Sequence, residues 1–263
     1  MAHSNCLNCG KFLSGKYCSG CGQKADTHRI SLKHFIMHDV LHGFMHLERG
    51  MLFTAKQALM RPGKAALDYI SGKRINYYNV FYFVLILLGL TVLQTHYYNV
   101  LAEMVDPTKM YQLEVNEAGA RIDEALRKYG KLFIFLTVPV LAFNSWVLFR
   151  KRKLNYSEHA IISGMFLLGI FLIINVYLVF NFLDLLNLPS IVQFVLSEIP
   201  PYAFFAYLIF VYSNAFYADY SLWRFFYRMV LFLVLFVIEV IVFLVLLIGS
   251  ITDWQGGDIS YSF

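Results

Sequence analysis

Long apolar stretches separated by short polar blocks dominate the chain, and runs of that length predict helices rather than strands. Five stretches approach the roughly 20 residues a helix needs to cross ~30 Å of hydrocarbon; they lie near residues 80–98, 132–149, 160–183, 200–217 and 225–250. The expected fold is an all-α integral membrane protein with five transmembrane helices. The fourth is expected to begin at Pro200-Pro201, because proline suits a helix start, with Ser190 to Leu196 forming a separate short interfacial helix.

Ahead of the first span the periodicity changes. Ser31 can cap a helix in which Leu32, Ile36, Val40, Phe44, Leu47 and Met51 recur at helical spacing, an amphipathic element for the inner membrane surface. Arg61-Pro62-Gly63 starts a second short helix through Tyr69 and Ile70, with Pro62 in its first turn and Gly72 as its C-cap. The organisation expected is a small separate module over 1–24, interfacial helices over 31–79 and a membrane domain over 80–263.

Composition agrees. The chain is 59% hydrophobic and 15% charged, against roughly half and about 25% in soluble domains. Its net charge of +5 reads as basic cytoplasmic loops facing anionic headgroups rather than as a nucleic-acid surface. Residues 1–30 lack the continuous apolar core of a secretory signal.

Lys and Arg set the expected orientation, since short basic loops stay inside. The region up to Asn79 has eleven Lys/Arg against four acids, Arg150 to Lys153 adds four more, and the 218–228 loop holds Arg224 and Arg228. The connection between spans three and four and the tail after span five have acids such as Asp184, Asp253 and Asp258 but no Lys or Arg. The 99–131 loop is mixed, with Glu117 to Arg127 patterned as a small exposed helix. These features orient the chain with its N-terminus in the cytoplasm and its C-terminus outside.

All four cysteines fall in the first segment. Cys6-x2-Cys9 and Cys18-x2-Cys21 are each followed directly by glycine, Gly10 and Gly22. Two thiolates two residues apart reach one metal only if the backbone turns tightly, and two such turns face to face complete an S4 tetrahedron. The expected cofactor is structural Zn2+, closed to water and substrate. A thioredoxin-like redox role needs a βαβ scaffold that this short segment cannot supply.

His34, His38, His42 and His46 repeat every four residues. Adjacent pairs can point two imidazoles at one ion, but the ladder drifts around the helix by about 40° per step and cannot be one four-ligand site. A second metal site, a pH sensor and an interfacial aromatic face are the readings open for it. Arg61, Lys73 and Arg74 are candidate headgroup ligands and topology setters. Within the spans, Glu239 is either glue hydrogen-bonded to Asn144 or Asn175, or a proton or cation site. Glu158 and His159 open span three, where Glu158 can cap the helix or meet Arg74 or the tetrabasic loop.

The sequence resembles an uncharacterised family of bacterial multi-pass inner-membrane proteins with an N-terminal four-cysteine zinc ribbon. The resemblance rests on Cys6-Leu7-Asn8-Cys9-Gly10, Tyr17-Cys18-Ser19-Gly20-Cys21-Gly22-Gln23, His46-Leu47-Glu48-Arg49-Gly50, Arg61-Pro62-Gly63, Tyr69 to Arg74, and Tyr156-Ser157-Glu158-His159. It implies the location and brings no assigned reaction.

Three functions follow as expectations. The first is a non-enzymatic regulatory or scaffold module that meets a cytoplasmic protein partner through the ribbon. The second is a transporter or channel using the Glu239 carboxylate. The third is a lipid-modifying enzyme assembled from His34, His38, Asp39, Glu158 and His159 at the inner interface.

Overall fold

The computed structural model describes residues 5–25, 50–105, 117–186 and 190–251. The histidine ladder from His34 to His46 lies outside the described residues. Among those described there are seven α-helices: α1 (Met51–Met60), α2 (Pro62–Ile70), α3 (Val80–Val105), α4 (Glu117–Leu148), α5 (Tyr156–Asn181), α6 (Ser190–Phe216) and α7 (Leu222–Ile251). They contain no strand, only the isolated bridges Asn5↔Phe12 and Tyr17↔Lys24 in the ribbon.

By length and composition, three helices can cross a membrane: α3, α5 and α7. The apolar part of α4, Ile134–Leu148, is shorter. Glu117 to Arg127, expected as a separate helix, is instead the first part of α4. Likewise α6 runs unbroken from Ser190, so Pro200-Pro201 lies within a helix and does not start one. Each proline removes one backbone donor, and the helix nevertheless continues past both.

The five long helices alternate in direction. α3 and α5 run parallel, with Val80 beside Gly164 and the Thr91 hydroxyl 3.0 Å from Asn175 Nδ2. α6 runs antiparallel to α5, pairing Phe166 with Tyr207, Ser163 with Tyr212 and His159 with Phe216. α7 runs antiparallel to α4, pairing Phe149 with Phe232 and Asn144 with Glu239. At the centre, α5 touches α1, α2, α3, α4 and α6. Its N-terminus is fixed by a capping box in which the Asn155 side chain accepts from the Glu158 amide and the Glu158 carboxylate accepts from the Asn155 amide, both at 2.8 Å.

Among the described residues, a group of polar contacts gathers at one end of this bundle. The α1–α2 pair packs there through small side chains: Ala58, Ala65 and Ala66 are fully buried, and a β-carbon at Gly63 would collide with the Val211 carbonyl and Ala215 amide of α6. The Tyr207 hydroxyl, against Gly169, donates to the Ala58 carbonyl at 2.6 Å. At the same end Arg152 pairs with Asp219, the Lys151 amide donates to the Tyr220 hydroxyl, and Arg228 donates to the Leu148 carbonyl while lying over the Tyr220 ring.

Candidate functional site

The ribbon is two copies of one knuckle. In the first, the Cys6 amide donates to the Lys11 carbonyl and the Gly10 amide to the Cys6 carbonyl; in the second, Cys18 donates to Gln23 and Gly22 to Cys18. Gly10 and Gly22 have φ of 76° and 77°, the left-handed conformation that glycine adopts without strain. The spacing of the cysteines thus becomes two matching turns.

Those turns bring the four Sγ atoms within 4.8 Å of one another. Cys6 lies 3.6 Å from Cys21 and Cys9 lies 3.5 Å from Cys18. The thiols are free, and such separations are far beyond the ~2.05 Å of a disulfide. They are close to the ~3.8 Å edge of a tetrahedron with metal–sulfur bonds of about 2.3 Å. The donor set therefore fits a tetrahedral, thiophilic ion, which Cys6, Cys9, Cys18 and Cys21 would hold as a structural cross-link.

The backbone prepares the sulfurs unequally. The Gly20 and Cys21 amides hold the Cys18 thiol down at about 6, and the Gln23 amide lowers that of Cys21. The Lys11 amide pulls Cys9 the same way, but the hydrogen-bonded thiols around it and burial outweigh that pull and raise it to about 11.

Gln23 connects the cysteine cluster to the helices. Its buried side chain donates through Nε2 to the Gly72 carbonyl at 2.8 Å and accepts at Oε1 from the Arg74 amide at 3.2 Å. Leu7 packs on Gly72, where a β-carbon would lie 2.6 Å from it; Gly72, at φ 101°, follows the C-cap Ser71 of α2. Sequence reasoning passed over Gln23, although its place directly after the second knuckle was a signal. The ribbon also leaves Phe12 70% and Tyr17 64% exposed.

The other sequence-derived candidates fall into separate places. Arg61 and Lys73 both reach Asp68, at 3.5 and 2.9 Å, while Arg74 donates through Nε to the Tyr69 carbonyl and lies over the Tyr69 ring. These three cations form one edge beside the docked ribbon. Glu158 is a buried capping residue. His159 is fully buried, with Nδ1 2.8 Å from the Ser145 hydroxyl and its ring stacked on Phe216. Neither is part of an open catalytic group among the described residues, and His34, His38 and Asp39 lie outside them.

Glu239 accepts at Oε2 from Asn144 Nδ2, 2.6 Å away, and this pair joins α4 to α7. Asn175 is engaged elsewhere, with Thr91 and the Leu87 and Phe171 carbonyls. A buried polar group that the sequence did not reveal, Ser163 with Tyr212, links α5 to α6.

No family model matches the chain, and neither a curated protein nor a solved structure matches it. The described residues define a mostly helical chain with three helices long and apolar enough to cross a membrane and a four-cysteine cluster able to hold a metal ion.

Proposed function

We propose that this protein is a five-span membrane protein whose zinc-loaded ribbon sits on the cytoplasmic side and serves as a docking platform for a cytoplasmic protein partner. It is a regulatory or scaffold module and not an enzyme. The alternating direction of the five long helices and the gathering of Arg61, Lys73, Arg74, Arg152 and Arg228 at the ribbon's end support the orientation with the N-terminus in and the C-terminus out. Thiolate-only coordination supports zinc in preference to harder ions.

One observation carries the functional reading: the cysteine cluster is closed and held to the helices by Gln23, while Phe12 and Tyr17 remain exposed on it. Four protein ligands leave no open coordination position for chemistry. Exposed aromatics on a rigid support provide contact area with little ordering entropy to lose.

The test places a photo-crosslinking phenylalanine analogue at Phe12 in the full-length protein in cells. A discrete protein adduct that disappears in the Cys6→Ser/Cys9→Ser variant supports the proposal. Lipid adducts alone, or none, would overturn it.

A further inference from the structure

A cavity of about 250 Å³, partly open, lies between the first turns of α3 and α5 and the middle of α4. Val84, Phe135, Val138, Ile161 and Leu167 supply apolar walls, and its volume is just below the ~300 Å³ at which pockets hold whole small ligands. An apolar chain segment fits the space; a solvated headgroup does not. Asn79, Tyr156, Ser157 and the aromatic ring residue Tyr69 also line the cavity. Arg74 lies over that ring, 5.2 Å from its centroid, and Lys73 precedes it with Arg61 beyond, on the other side of Asp68.

We propose that this cavity holds one acyl chain of an anionic glycerophospholipid from the leaflet nearest the ribbon, with the lipid phosphate at the Lys73-Arg74 edge. The inference rests on the reading that these helices span a bilayer with their basic end at its surface. Two of the three walls belong to helices long and apolar enough to do so, α3 and α5, so the medium meeting the opening is hydrocarbon. A dry apolar hollow in that setting fills with hydrocarbon, since water there would find too few polar partners. The charge at the edge selects the headgroup. Arg61 and Lys73 both reach Asp68, and Arg74 adds a further cation over the Tyr69 ring.

The consequence is a lipid contact joined to the metal module. The Arg74 amide that Gln23 binds belongs to the residue facing the phosphate, so lipid and ribbon grip the same turn.

The experiment uses the full chain in nanodiscs doped with phosphatidylglycerol or phosphatidylcholine carrying a photoreactive acyl chain, with adducts mapped by peptide mass spectrometry. Adducts are expected on Val84 and Ile161, with phosphatidylglycerol favoured about five-fold for each cation at the edge. Excess unlabelled phosphatidylglycerol should suppress them saturably in the wild-type chain, a readout that depends on no variant. Ala160→Phe, which fills the cavity from its lining, should reduce them to the level on the outer face of α7. Arg74→Gln should cut the headgroup preference about five-fold. Cavity adducts that do not saturate, or that persist in Ala160→Phe, would overturn the lipid site while α7 still labels. An α7 that fails to label would overturn the spanning reading, and the lipid site with it.

Discussion

Gln23 of the ribbon holds both sides of the turn that begins at Gly72, donating to the Gly72 carbonyl and accepting from the Arg74 amide 51 residues away in sequence. Both bonds come from one buried side chain, so a single residue ties the cysteine module to the helices. Gln23→Ala should leave the two backbone groups short of partners, weakening docking by roughly 1–3 kcal/mol. Proteolytic release of the ribbon should then run at least about five-fold faster, if cleavage follows the undocked fraction. Metal content should stay at the wild-type level, because no ligand is touched. Unchanged release would show that Leu7 and Gly72 suffice for docking.

Asn144 and Glu239 offer a second test. A Glu239→Gln variant keeps an acceptor for the Asn144 amide, so its thermal stability in detergent should match wild type. Glu239→Ala strands a buried Asn144 and should lose about 0.6–2 kcal/mol. Proton and cation flux in liposomes should be indifferent to both. Flux abolished by Glu239→Gln would favour the transporter reading.

The ribbon thiols should react in order. In the metal-free chain Cys18 is held at about 6 by backbone amides, and Cys9 is raised to about 11. Iodoacetamide at pH 7 should therefore modify Cys18 faster than Cys9, as read by mass spectrometry. The linkage has opposite signs at the two sites. The contribution of Cys18 is fully present above its unfolded value of 9 and is lost as pH falls through about 6, whereas that of Cys9 is present below 9 and is lost as pH rises through about 11. With metal bound, acidification should release it, since protons compete for the sulfurs. Equal alkylation rates at Cys9 and Cys18 would contradict this inequality.

The cysteine cluster was legible in the sequence because its geometry is local: two residues between cysteines and a glycine after each pair dictate the turn. The α2 helix was legible for the same reason, through Pro62 at its start and Gly72 just past its end. Partner choice was not. Periodicity says that a face is buried, not which helix buries it, so nothing local distinguished Asn144 from Asn175 as the partner of Glu239. Nor could composition reveal that α6 continues through Pro200-Pro201, because neighbouring structure decides whether a helix survives two missing donors. The cavity at Val84 and Ile161 is a shape made by three helices and has no sequence signature.

Every cysteine in the chain lies in the ribbon, between Cys6 and Cys21, so a membrane-impermeant maleimide reports on that module alone. Labelling of the full-length protein in inverted and right-side-out membrane vesicles, with and without a strong zinc chelator, tests the central claim most directly. The account predicts labelling only in inverted vesicles and only after chelation. Labelling of right-side-out vesicles, or full labelling of inverted vesicles without chelator, would contradict a metal-closed ribbon on the cytoplasmic face.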